Sequence, residues 1–138
     1  MTVSSRRAAV LGHPIGHSKS PLLHRAAYRY LGFDCSYEAV DLPEEDAAVF
    51  AASLRRPGTA PWAGLSVTMP LKSVFVPAMD RLAPAAAALQ VLNTITFDGT
   101  DDGVVLTGHN TDVAGIVSAL RQAGSRPLPR TVILGAGG

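Results

Sequence analysis

The apolar run Ala8-Ala9-Val10-Leu11 ends at Gly12, and after a short polar turn Pro21 opens an amphipathic repeat of Leu22, Leu23, Ala26, Ala27 and Tyr30. A buried strand that hands over to a helix in this way commits the chain to an α/β architecture, with helices packed on a sheet. The turn and helix entry, Gly12 to His24, read G-H-P-I-G-H-S-K-S-P-L-L-H and set two serines where the helix begins. Ser20 reads as the N-cap, with Pro21 at the first helical position. A helix start also offers unpaired N–H groups and partial positive charge, so a carboxylate or phosphate could sit there with the Ser18 and Ser20 hydroxyls as further donors. Cap and anion site both fit the local pattern.

Further along, Cys35 to Val40 alternates as a strand, and Asp41-Leu42-Pro43-Glu44-Glu45-Asp46 opens a second helix with an acidic first turn. Gly64 to Met69 reads as a third strand, after which Pro70 begins a helix that Pro77 interrupts. A short helix is expected over Pro84 to Leu89, then a β-hairpin of Thr94–Phe97 and Val104–Thr107 around the turn Asp98 to Gly103. The last long helix starts near Thr111; Val113, Ile116, Val117 and Leu120 form its apolar stripe, and Gly124 ends it. Ser125 to Arg130 reads as a linker, and Thr131-Val132-Ile133-Leu134 as a new apolar strand running into Gly135-Ala136-Gly137-Gly138. A dinucleotide-binding unit needs strand, glycine turn, helix and second strand, so only its beginning is expected here, as if a longer protein had been cut.

The fold expected is therefore a three-layer α/β/α unit with an open, mainly parallel sheet, followed by the first strand of an incomplete Rossmann domain. Its divisions are residues 1–110, an interdomain helix over 111–124, and a linker, strand and glycine turn over 125–138. At 138 residues and 47% hydrophobic content the chain can bury one core. A formal charge of +1, with no basic stripe interleaved by aromatics, argues against nucleic acid as the main partner. No apolar run approaches the roughly 20 residues that span a bilayer, and Met1 to Arg7 lacks the apolar centre of a signal peptide, so cytoplasmic residence is the expectation. The lone Cys35 excludes an internal disulfide and a cysteine-based metal site. His13, His17, His24 and His109 show no metal-binding spacing beside a carboxylate, so no metal is expected.

Only two of the basic residues are lysines, Lys19 and Lys72, and both fall in motif-like segments. Lysine can exchange a proton where arginine cannot. Gly64-Leu65-Ser66-Val67-Thr68-Met69-Pro70-Leu71-Lys72 brings a hydroxyl and an ammonium to the end of a buried strand, where open α/β sheets bind ligands. With a helix beginning at Pro70, Lys72 would feel the positive end of the dipole, which lowers a lysine pKa and suits acid/base work; a solvated surface lysine is the plain alternative. Asn93 could hydrogen-bond a hydroxyl. Asp112, in Gly108-His109-Asn110-Thr111-Asp112, could serve in helix capping, as the carboxylate partner of Lys72, or both.

Taken together, H-P-I-G-H-S-K-S-P, S-V-T-M-P-L-K, L-N-T, G-H-N-T-D and G-A-G-G, in this order, resemble the shikimate dehydrogenase family. The resemblance implies an NADP-dependent oxidoreductase of aromatic amino acid (chorismate) biosynthesis that interconverts shikimate and 3-dehydroshikimate. It implies Ser18 and Ser20 for the substrate carboxylate, Thr68 and Asn93 for substrate binding, Lys72 and Asp112 as the catalytic pair, and Gly135, Ala136, Gly137 and Gly138 for the cofactor pyrophosphate. Ser66 stands where asparagine is common in the family, Leu92 where a smaller residue is often found, His109 and Val113 flank N-T-D in place of Asp and Gly, and Pro84 occupies a place that is sometimes acidic. Two other readings stay open: a quinate/shikimate dehydrogenase using NAD, against which serine at both 18 and 20 leans, and a substrate-binding module without turnover. Cofactor preference and oligomeric state, a homodimer included, are not written in these residues.

Overall fold

The computed structural model describes residues 6–56, 61–100, 103–126 and 130–135. Strand β1 (Arg6–Gly12) lies between β2 (Cys35–Asp41) and β3 (Trp62–Val67), parallel to both. The sheet continues through β5 (Thr94–Thr100) and β6 (Gly103–His109) to the two-residue β4 (Arg81–Leu82), giving the order β2-β1-β3-β5-β6-β4. Only β5 runs against the rest, so the sheet is mainly parallel, as expected.

The alternation of side chains along each strand sorts two unequal faces. On one face Ala9, Leu11, Leu65, Val67, Ile95 and Leu106 join Leu71, Phe75 and Leu92 in the main core. Helices α2 (Ala47–Ser53) and α3 (Pro84–Leu89) close it with Ala47, Ala51 and Ala86, small residues that let a helix sit close to the strands. The other face holds a small cluster of Ala8, Val10, Ile15 and Tyr37 beneath α1 (Ser20–Leu31). Helix α4 (Asp112–Gln122) follows β6 and buries none of its residues.

Several expectations change in detail. The first helix begins at Ser20 itself, with Lys19 in the cap position and no side-chain cap from it, so Ser20 is not the N-cap. Instead the Ser18 hydroxyl accepts the Ser20 N–H at 3.3 Å. The acidic segment forms a 3₁₀ turn, Glu44–Asp46, that leads into α2. No α-helix follows Pro70: residues 69–75 are turns and Val76–Ala78 a 3₁₀ turn. Pro77 has no N–H to continue an α-helical ladder, and the segment settles instead on bonds such as Leu71 N–H to Thr68 O (2.9 Å) and Phe75 N–H to Leu71 O (3.2 Å). This removes the helix dipole invoked for Lys72. Thr131 to Leu134 forms no strand, and Val132 and Leu134 are 84% and 94% exposed. An apolar segment becomes a strand only through a neighbour's ladder, and among the described residues the sheet's ladders do not include this segment. The tripeptide Ala136-Gly137-Gly138 lies outside the described residues.

Candidate active site

Backbone bonds stitch the ends of three strands together. Thr68 N–H donates to Leu11 O (2.9 Å), Val67 N–H to Asn93 O (2.8 Å), Asn93 N–H to His109 O (2.9 Å) and Leu92 N–H to Lys72 O (2.9 Å). The segments carrying Thr68, Lys72, Asn93 and Asp112 therefore meet at one edge of the sheet, beyond the carboxyl ends of β1, β3 and β6. That is where an open α/β sheet presents a ligand site.

Lys72 Nζ donates to Asp112 Oδ2 at 2.6 Å, with side chains 31% and 45% exposed. The pair is open to solvent on one side, so its net contribution to stability is that of a partly screened ion pair, at most about 1 kcal/mol. The hydrogen bond from Lys72 holds the Asp112 carboxyl below its ordinary pKa, burial opposes this, and the Asn93 amide lowers it further. Asp112 is free for this role because the neighbouring asparagine takes the capping work. Asn110 Oδ1 accepts the N–H groups of Asp112 (3.0 Å) and Val113 (3.3 Å), while its Nδ2 donates to Val91 O (3.1 Å). Of the two functions the sequence left open for Asp112, the structure gives capping to Asn110 and ion pairing to Asp112.

Asn93 is fully engaged. Its Nδ2 donates to Asp112 Oδ1 (2.9 Å) and Thr111 Oγ1 (2.8 Å), and its Oδ1 accepts from Thr94 Oγ1 (3.0 Å) and Thr111 N–H (3.1 Å). An amide side chain offers two protons and two lone pairs, so an incoming hydroxyl must displace one of these partners. Lys72, with one of three protons spent on Asp112, is the readier donor.

The serines lie on the other side of the sheet edge. Ser18 N–H donates to Ile15 O (2.9 Å), and the loop is anchored by Asp41, whose Oδ1 accepts from His13 Nδ1 (3.0 Å) and Ile15 N–H (3.2 Å). Ser20 opens α1, and beneath that helix lies the buried Tyr37, which no motif in the sequence marks; the Tyr37 hydroxyl donates to Ser66 Oγ at 2.8 Å. Burial raises the Tyr37 phenol above its ordinary pKa, and its interaction with the Ser66 hydroxyl, and to a lesser extent with that of Ser20, pulls it part of the way back. The alternation of β2, which puts Tyr37 on the same face as Ala8 and Val10, was the one signal in the sequence that could have found it.

Other features carry less chemistry. The groove of about 490 Å³ between α2 and residues 74–78 is lined mainly by alanines, Val74 and Phe75, with Glu44 and Arg55 at its margin, and lies apart from the polar cluster. Among the described residues no three His, Cys, Asp or Glu side chains stand together as a metal-ligand set. None of the described helices is long and apolar enough to cross a membrane. Of the glycine turn only Gly135 is described; its φ of +87° is left-handed backbone that glycine adopts freely.

The family described as the shikimate dehydrogenase substrate binding domain matches residues 10–95. A shikimate dehydrogenase (NADP(+)) of Moorella thermoacetica is 40% identical over 136 residues, covering 98% of this chain and 44% of that protein. One from Geobacter sp. strain M21 is 39% identical over 140 residues, covering 100% of this chain and 46% of that protein. The crystal structure of the shikimate 5-dehydrogenase of Thermus thermophilus in complex with NADP(H) and shikimate matches with a TM-score of 0.72 at 36% identity, over 86% of this chain and 42% of that one. The chain spans less than half the length of these relatives.

Proposed function

We infer the function from one premise: this chain belongs to the shikimate dehydrogenase substrate-binding domain family. On that premise it is the substrate-binding part of an NADP-dependent shikimate dehydrogenase of the cytoplasm, with residues 1–110 forming that part, 111–124 the interdomain helix and 125–138 the approach to the cofactor domain. The observation that carries the reading is the contact of Lys72 with Asp112 at 2.6 Å, held by Asn93 at the sheet edge.

The ligand is a small ring bearing a carboxylate and several hydroxyls. Ser18 and Ser20 receive the carboxylate at the mouth of α1, and Thr68 and Asn93 meet hydroxyls at the end of β3 and the start of β5. Fixing the ring at its carboxylate end turns the reacting C3 oxygen toward Lys72, which is catalysis by positioning. Asp112 accepts a substrate hydroxyl and holds the Lys72 ammonium in place. As 3-dehydroshikimate is reduced, Lys72 Nζ gives its proton to the oxygen on which negative charge develops; in the oxidation of shikimate the same nitrogen takes it back. NADP, when bound, supplies or accepts the hydride, and Gly135, Ala136, Gly137 and Gly138 are the residues of this chain that would meet its pyrophosphate.

The test grafts residues 1–126 of this chain onto the cofactor-binding part of the Thermus thermophilus relative and measures NADP-dependent oxidation of shikimate. Lys72→Ala is expected to lower kcat by about 100-fold or more, as for a lost general acid. An unchanged kcat at saturating shikimate refutes the role.

A further inference from the structure

Helix α1 buries none of its twelve residues, and Leu22, Leu23 and Tyr30 are 68%, 66% and 90% exposed. The usual seat of an amphipathic helix, a row of aliphatic side chains against the sheet, is therefore missing here. What fixes α1 is Tyr37. The His24 ring stacks on it with centroids 4.0 Å apart and planes 11° from parallel, and His24 Nδ1 donates to Ser20 O at 2.9 Å. From the next position Arg25 Nε donates to Tyr37 O at 2.8 Å, and one turn beyond His24 the Tyr28 ring meets the same phenol edge-on. The phenol then reaches across β1 to Ser66 Oγ at 2.8 Å, and Ser66 sits in register with both Val10 and Thr94.

We propose that Tyr37 is a positioning residue for the substrate carboxylate: its hydroxyl, bonded to Ser66, and its ring, stacked on His24, seat the first turn of α1, with Ser18 and Ser20, on the strands that carry Thr68 and Asn93. This rests on Ser18 and Ser20 being the carboxylate donors. Ser20 is tied to Tyr37 through His24, whose ring stacks on the phenol and whose Nδ1 holds the Ser20 carbonyl at 2.9 Å. Serine at position 66 suits the arrangement, because a short hydroxyl leaves room for the phenol and accepts its proton. The spacing between the carboxylate end and the Lys72 end of the site is thus set by side chains that need not touch the ligand.

The experiment titrates the 138-residue chain with shikimate and, separately, with its neutral methyl ester, following amide chemical shifts. The unaltered chain is expected to favour shikimate. Tyr37→Phe keeps the ring stack and removes only the hydroxyl; it is expected to weaken shikimate about five-fold, the worth of one ordinary hydrogen bond, and to leave the ester unchanged. Ser66→Ala, which removes the acceptor instead, moves the same ratio in the same direction, and it carries the test if Tyr37→Phe gives a collapsed spectrum. An unchanged ratio in the folded variants overturns the proposal while leaving the serines' role standing, and so does equal weakening of both ligands, the mark of a merely structural tyrosine. Failure of the unaltered chain to distinguish acid from ester removes the carboxylate reading itself, and the proposal with it.

Discussion

Gly12 closes β1 where the first loop and the end of β3 come nearest, and a methyl group there has no room. A Cβ on Gly12 would stand 2.6 Å from Thr68 Cγ2, 2.9 Å from Met69 O and 3.0 Å from Ile15 Cδ1. The threonine methyl can rotate away, but the Met69 carbonyl is backbone and already accepts the His13 N–H at 3.1 Å. Gly12→Ala must therefore part the ends of β1 and β3. Overpacking of this kind costs about 1–3 kcal/mol. With a urea slope of about 2 kcal/mol/M, the unfolding midpoint falls by roughly 0.5–1.5 M. Fluorescence of Trp62, the single tryptophan and a member of β3, reports the transition. Gly115→Ala is the internal control: it lies within α4 with nothing within 4 Å of its would-be Cβ, and its stability should rise by up to about 1 kcal/mol of helix propensity. A midpoint for Gly12→Ala at or above that of the unaltered chain refutes the close-approach argument.

Phe75 is 1% exposed at the centre of the main core, so Phe75→Ala is expected to cost about 3–5 kcal/mol in the same urea assay, whereas Leu89→Ala, at a site 55% exposed, stays within about 0.5 kcal/mol. Asp80 accepts from Arg55 Nη1 (2.7 Å) and from Leu106 N–H (2.7 Å), and these bonds, the arginine's first, hold its pKa below the ordinary value. A carboxyl depressed in the folded state stabilises above the unfolded pKa of about 3.9 and loses that contribution as pH falls through its folded value. Asp80→Asn should thus lie below the unaltered chain by a constant amount, about 1 kcal/mol or less for so exposed a group, from pH 5 to 7, with the gap closing below about pH 4. A gap that widens on acidification contradicts the assignment.

The strand-turn-helix opening, the hairpin and the helix over Pro84–Leu89 were legible in the sequence because each is fixed by local periodicity or by a proline at a helix start. Residues 69–78 were not, since a run with proline at both ends leaves helix and turn close in energy until Leu71 and Phe75 are seen to fill the core. Strand β4, only two residues long, exists through β6 and has no pattern of its own. Thr131 to Leu134 shows the converse: strand composition without a ladder makes no strand. At the site, the pairing of Lys72 with Asp112 followed from placing both at one sheet end, but the sequence could not divide capping from ion pairing between Asn110 and Asp112. Nor could it show that Asn93 has no free hydrogen-bonding capacity, or that Tyr37 meets a serine 29 positions away.

The central claim is that one edge of this sheet holds shikimate between a serine pair and a lysine–aspartate pair. The direct measurement is a shikimate titration of the isotope-labelled chain read by amide chemical shifts. The account predicts saturable shifts at Ser18, Ser20, Thr68, Lys72, Asn93 and Asp112, with none at Asp98 to Thr100 on the far hairpin tip. Shifts confined to the groove at Ala48, Arg55 and Val74, or no saturable shift at millimolar shikimate, would contradict it.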